Sequence, residues 1–436
     1  MPPMRLDRPA TGAAAALCLF FLGGCGRETP PRADANPRAS AASVRTAAAP
    51  GALAYTQEPL GSRASAFGRP LVTHVSIVDV DRDKLADILY CDGAGNTIRW
   101  IRQSPRGVFS EHVIARGIPG PVHASVADLD GDGRAEILIA SMGQITPNND
   151  RIGAVVVLDH VVDLQFRPRV LLEGVARVTD VRAANLSGHT DGKRDLVVGQ
   201  FGYAQGEVRW MRNLGDGRFE SQQVSNLSGC VHTPVADFDG DGRQDFAALI
   251  SQEWEEVHLF LSGSGSPQGR VIWGSTNEDF GSSGLEVADI NRDGRPDLVY
   301  TNGDGFDYAG YGTRPWHGIQ WLENQGGGAF RFHRVGDMPG AYSPCAADLD
   351  GDGDTDLLAV SGFADWDDPT AVSVMAWLND GKGGFEPRVI AHRPTQLVSA
   401  AVGDLDGDGT PEIVTGGFHA YPPFKDMSNI TLWRRQ

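Results

Sequence analysis

The sequence predicts an all-β chain folded as a seven-bladed β-propeller with four-stranded blades. Three observations carry this reading. First, an acidic nonapeptide recurs. It stands as DLDGDGRAE from Asp128, DFDGDGRQD from Asp237, DINRDGRPD from Asp289, DLDGDGDTD from Asp348 and DLDGDGTPE from Asp404. DVDRDKLAD from Asp79 is a sixth copy, and NLSGHTDGKRD from Asn185 is a degraded seventh, two residues longer. The starts lie 49, 57, 52, 52, 59 and 56 residues apart, a period that signals a repeat architecture. Second, Trp100, Trp210, Trp321, Trp377 and Trp433 follow at spacings of 110, 111, 56 and 56, with missing copies near Leu158 and Leu261. Third, the runs around the acidic loops are short and β-branched, as strands are. Each unit reads strand, acidic loop, strand, variable loop, strand with Trp, Gly-rich turn, strand opening on Phe, which is a propeller blade.

Three segments follow in chain order. Residues 1–24 read as an export signal. Arg5 and Arg8 precede an apolar run from Ala13 to Leu22 that is too short for a stable membrane span. The run ends Leu22-Gly23-Gly24-Cys25, which resembles the lipobox of bacterial lipoproteins, with Cys25 as the lipidated residue. Gly26 is not the Asp of inner-membrane retention, so an outer-membrane or cell-surface address in a Gram-negative bacterium is expected. Residues 25–54 are rich in Pro, Ala and Arg and read as a flexible tether. Residues 55–436 hold the seven repeats. The chain stops at ITLWRRQ, the third strand of its last repeat, and Tyr55–Leu60 reads like a fourth strand. The first strand is therefore expected to complete the last blade, with Pro59 on the outer edge.

The D-x-D-x-D-G-x-x-D/E loops, the repeat length and the Gly-Phe turns resemble the FG-GAP/VCBS repeat proteins, whose best-known relative is the N-terminal propeller of integrin α chains. The resemblance covers nearly all of 55–436. It implies that the acidic loops join strands one and two at one face of the ring. The loops between strands two and three, and the residues that lead into strand one, then share the other face. Such propellers serve as adhesion modules, lectins and parts of enzymes, so the fold alone does not fix the function.

The acidic loops read as Ca²⁺ sites. Acids at positions 1, 3, 5 and 9 can converge on one ion, and Gly at position 6 permits the tight turn. The candidate ligands are Asp79, Asp81, Asp83 and Asp87; Asp128, Asp130, Asp132 and Glu136; Asp237, Asp239, Asp241 and Asp245; Asp289, Asn291, Asp293 and Asp297; Asp348, Asp350, Asp352 and Asp356; and Asp404, Asp406, Asp408 and Glu412. Hard oxygen donors without His or Cys favour Ca²⁺ over Zn²⁺ or Cu²⁺. The formal net charge of −18 would become about +7 without the 25 acids at these positions in the seven loops. The acidity is thus concentrated where a cation can neutralise it. Lys84 replaces the turn Gly in the first loop and brings a positive charge. Only Asp191 and Asp195 remain in the third, which is expected to bind no metal. The ions are expected to be structural.

The opposite face is the expected ligand face. Its long loops, 303–318, 362–369 and 417–428, carry Tyr308, Tyr311, Trp316, His317, Trp366, His419 and Tyr421. Exposed aromatics among polar groups suit carbohydrate or protein ligands, and self-packing of long loops is the competing account. Five residues before each acidic start come His74, His123, Asp180, His232, Gly284, Ser343 and Ser399. His74, His123, Asp180 and His232 form a ring that could hold a ligand or a transition metal, or line the channel with water partners. The acidic balance excludes nucleic acid. Neither H-E-x-x-H nor G-x-S-x-G is present, and the Gly-Lys pairs lack the rest of a P-loop. Cys91, Cys230 and Cys345 fall in different blades and read as isolated thiols. The expected protein is an exported, lipid-anchored, Ca²⁺-binding, monomeric propeller that acts as a ligand-binding or scaffold module. A carbohydrate-binding protein, and a polysaccharide lyase or hydrolase working at the channel mouth, are the alternatives.

Overall fold

A computed structural model of the chain describes residues 53–62, 68–146, 148–162, 164–252, 254–263, 265–306 and 312–436. Cys25, the export signal and the tether up to residue 52 lie outside these residues, as do Tyr308 and Tyr311. Among the described residues there is no α-helix, and the strands form seven antiparallel sheets.

Each blade is a meander of four strands. Blade one runs Val72–Val78, Asp87–Asp92, Thr97–Gln103 and Phe109–Arg116, and blades two to six repeat the order. Only the innermost strand of blade four is broken, into Cys230–His232 and Val235–Ala236, because Pro234 between them has no N–H for the ladder. The innermost strands of successive blades touch all the way round, blade seven against blade one included, so the ring is closed. Closure follows the expected route. Tyr55–Leu60 pairs antiparallel with Ile430–Arg435 as the outer strand of blade seven, and Pro59 lies on that edge.

The core is split between the blades. In every blade the second strand is buried on both sides, and alternate residues therefore serve two different neighbours. Ile88 and Tyr90 pack with Val414 and Leu432 of blade seven, while Leu89 and Cys91 pack with Ile137 and Ile139 of blade two. The same pattern gives seven apolar clusters among the described residues, one for each blade junction. Cys91, Cys230 and Cys345 are free thiols, and burial pushes all three well up.

The five repeat tryptophans all lie on third strands and are buried, but they are not one marker. Trp100, Trp210 and Trp321 face the following blade, whereas Trp377 and Trp433 face the preceding one. A shift of one residue along a strand reverses the face. Trp321 pairs with Val299, two residues after Asp297, while Trp377 pairs with Leu357, one residue after Asp356. Leu158 takes the Trp place of blade two as expected. In blade four Phe260, not Leu261, takes it, stacked on Phe246 at 4.6 Å.

Candidate functional site

The acidic loop is a compact turn closed by its own side chains. Asp128 accepts the backbone N–H groups of Gly131 (2.8 Å) and Gly133 (2.9 Å), and Asp132 accepts that of Arg134 (2.7 Å). Position 6 has a left-handed backbone, from φ 83° to 93° in the five loops with Gly there; Lys84 takes φ 71° in the first. A non-Gly residue at such a φ costs about 1–2 kcal/mol. Gly131 meets a second constraint. A Cβ there would stand 2.7 Å from the carbonyl oxygen of Asp191, so loops two and three are in contact.

Positions 1, 3 and 9 converge. Oxygens of Asp79, Asp81 and Asp87 lie within 4.8 Å of one another, as do those of Asp128, Asp130 and Glu136, of Asp237, Asp239 and Asp245, of Asp348, Asp350 and Asp356, and of Asp404, Asp406 and Glu412. The position-5 acids Asp83, Asp132, Asp241, Asp352 and Asp408 are not in these groups. They cap the turn instead, each accepting the N–H two residues on. In the fifth loop Asp289, Asp293 and Asp297 form no such group, and Asn291 turns its amide nitrogen toward Asp293 (2.9 Å) and Glu323 (3.4 Å).

The ninth residue has a second task that the motif does not reveal. Asp356 is fully buried. One oxygen accepts Leu349 N–H and the other Asn379 N–H, both at 2.8 Å. Asp87, Asp195, Asp245 and Asp297 do the same in their blades. Burial pushes the carboxyls of Asp87, Asp245, Asp297 and Asp356 up to about 6, against those hydrogen bonds. The Asn379 amide then reaches the Ile290 carbonyl of the preceding blade's loop (3.1 Å). Asn213, Asn324 and Gln103 reach Leu129, Phe238 and Leu405 likewise. The sequence signal was the Asn or Gln two or three residues after Trp.

The channel runs along the axis, a cavity of about 430 Å³ lined by innermost strands. His74, His123, Asp180 and His232 meet there. The His74 and His123 rings are 4.3 Å apart, His123 Nδ1 is 3.0 Å from Asp180, and His232 Nε2 is 3.2 Å from the Ser283 carbonyl. No three of their ligating atoms lie within 4.8 Å of one another. Two charged residues of the site escaped the sequence reading. Arg182 binds both oxygens of Asp180 (3.1 and 3.2 Å) and reaches Glu286 at 2.9 Å. Burial alone would raise the Asp180 carboxyl, but Arg182, and after it His123, hold it well below the usual range. Burial, and then His123, keep His74 neutral at ordinary pH. Arg182 and Glu286 lie two residues beyond ring positions, so period-two alternation was the available signal.

At the face opposite the acidic loops the channel opens into a well of about 260 Å³, lined by residues from all seven blades. Its wall includes Phe201, Tyr203, Phe306, Tyr342, Phe418 and Tyr421. A side cavity of about 220 Å³ shares Phe306, Phe418 and Tyr421 and adds Phe363 and Trp366. Phe306 sits centrally, 4.9 Å from Phe363 and 5.8 Å from Phe418. The repeated Gly-Phe after the second strands of blades five to seven marked these rings in the sequence. Of the expected aromatic contacts, Tyr421 is exposed and Trp366 is a cavity wall only 4% exposed. Trp316 lines neither cavity and donates its ring N–H to the Asp279 carbonyl (2.9 Å). His317 is 1% exposed and packs inside its own loop; burial, with Arg314 and Arg334, lowers it to about 4.

These features define a closed seven-bladed propeller with an acidic-loop face and an aromatic-well face. The FG-GAP-like repeat model matches residues 79–139, 190–248, 237–300, 301–359 and 360–415, and the chain belongs to that family. No curated protein matches it. Among solved structures it is similar to selenomethionine-substituted virginiamycin B lyase from Staphylococcus aureus (TM-score 0.55, 10% identity, 88% of this chain and 100% of that one). It is also similar to BBS1N in complex with ARL6DN (TM-score 0.53, 10% identity, 88% and 97%). At this identity the likeness is one of fold alone.

Proposed function

We propose that the chain is an exported, lipid-anchored, Ca²⁺-binding propeller that works as a ligand-binding or scaffold module at the cell surface. The observation that carries this reading is the division of labour between the faces: converging carboxylates on one, an apolar well over the channel on the other. The donor set fits Ca²⁺. The acids of loops two, four and six converge, and among the described residues no Lys, Arg or His nitrogen lies within 4.0 Å of their position-1, -3 and -9 carboxylates. Asp128, Asp130 and Glu136, and their counterparts in loops four and six, would hold the ion. When bound it supplies positive charge against which these carboxylates stop repelling one another.

The well favours an apolar group of a protein partner over a sugar. Several of its polar groups are already used inside the protein: Thr73 Oγ1 donates to the Pro121 carbonyl (2.6 Å), Ser283 Oγ to that of Ala341 (2.6 Å) and Tyr342 Oη to Asp304 (2.9 Å). An array of peptides with apolar anchors, beside a glycan array, tests this. Peptide binding is expected, and Tyr421→Ala should weaken it by about 1–3 kcal/mol while the melting temperature stays put. Binding that is confined to glycans, or that maps to the acidic loops, would count against the well. The anchor has its own check. Labelled palmitate should enter the wild-type chain and not Cys25→Ser, and label in the Ser variant would contradict it.

A further inference from the structure

The seven acidic loops share one design but differ in what the third strand sets over them. The residue before the strand's closing position lies above the loop. In blade one it is Arg102, which meets Asp81 at 2.6 Å and Asp83 at 3.8 Å. In blade seven it is Arg434, which meets Asp406 at 2.9 Å and Glu412 at 3.5 Å. The same place holds Leu261 in blade four and Leu378 in blade six. In blade two it holds Asp159, which is turned to Arg167 and Arg169. Loop three carries its cation within itself: Lys193 stands 2.6 Å from Asp191, and the His189 ring nitrogen lies 3.2 Å from Asp195. Lys84, the cation evident in the first loop's sequence, is exposed and makes no ion pair among the described residues; the loop's partner is Arg102.

We infer that the ring is divided: loops two, four and six take an ion, while loops one, three and seven are neutralised by the protein's own side chains and take none. The inference rests on the Ca²⁺ reading of the acidic loops. A guanidinium at 2.6–2.9 Å from a position-3 carboxylate occupies the charge complement an ion would supply, and its own charge opposes a second cation. Loop five, with Asn291 in place of one carboxylate, is the weaker remainder. The division has a spatial meaning. Loops one and seven flank the seam where Tyr55–Leu60 closes the ring, and Arg434 also stands 3.7 Å from Glu58 of that strand. The seam therefore closes without an ion, and ion binding tightens blades away from it.

Hydrogen exchange of the purified protein in Ca²⁺ and in chelator, with native mass spectrometry of the bound ions, tests the division. Chelation should raise exchange about tenfold or more in loops two, four and six and leave loops one, three and seven unchanged. Arg434→Leu, which copies Leu378, should add one Ca²⁺ per chain, and Leu378→Arg should remove one. The second variant keeps the test sharp if the first fails to fold. Loops one and seven responding like loop four, or Leu378→Arg retaining every ion, would overturn the division while leaving Ca²⁺ binding intact. No bound Ca²⁺ and no response in any loop would overturn both readings.

Discussion

Deleting Tyr55–Leu60 is expected to strip the outer strand from blade seven and lower stability by several kcal/mol. The strand pairs with the last strand over six residues, from Tyr55 opposite Arg435 to Leu60 opposite Ile430. Leu60 is buried in the cluster between blades seven and one, and Tyr55 packs against that between six and seven. Truncating one buried Leu alone costs about 2–5 kcal/mol. Each lost ladder hydrogen bond adds about 0.5–1.5 kcal/mol. The deletion would also bare Ile430–Arg435 as an unpaired edge, which invites association between chains. Moving the hexapeptide behind Gln436 through a short turn should restore both melting temperature and solubility, because Gln436 N–H already reaches the Ala54 carbonyl at 2.9 Å. Equal stability of the deleted and intact chains in denaturant would show that the closure contributes nothing.

The fold was legible because its signals are local. The acidic loop sets the boundary between strands one and two within nine residues, and where its ninth residue is Asp that residue anchors the closing end of the third strand as well. Ring closure was legible from a missing strand at one end and a spare one at the other. The tryptophan faces were not, because Trp210 and Trp377 stand at different distances from the amide that closes the strand. One residue of offset reverses a side chain. The axial site was half legible. His123 and Asp180 could be placed, but the Arg182–Glu286 pair joins blade three to blade five across the channel, and only the closed ring brings them together. The aromatic loops were judged by composition. Composition did not separate Tyr421, which faces solvent, from His317, which is an internal strut.

With Ca²⁺ in the acidic loops as proposed, its removal is expected to be the second large effect. An ion that binds only the folded chain stabilises it by about 1.4 kcal/mol per site at ten times Kd. The three proposed sites would therefore supply about 4 kcal/mol, or a shift on the order of 5–10 °C for a domain of this size. The effect should reach the blade junctions. The second residue of an acidic loop offers its carbonyl to the next-strand amide of a neighbour, as Phe238 does to Asn324 at 2.9 Å. A loosened loop thus loosens a junction. Asp237→Ala removes one converging carboxylate and should lower the Ca²⁺-dependent part of the shift by about a third. Asp191→Ala lies in a loop already occupied by Lys193 and should leave that part unchanged. Because Asp237 also accepts Gly240 and Gly242 N–H groups, the quantity to compare is the difference between Ca²⁺ and chelator within each variant.

The most direct measurement is the melting of the wild-type protein in Ca²⁺ and in EDTA, with elemental analysis of the same samples. The converging carboxylates predict bound Ca²⁺, a fall on the order of 5–10 °C in EDTA and full recovery when Ca²⁺ is restored. A melt indifferent to EDTA, from protein that carries no Ca²⁺, would contradict the account.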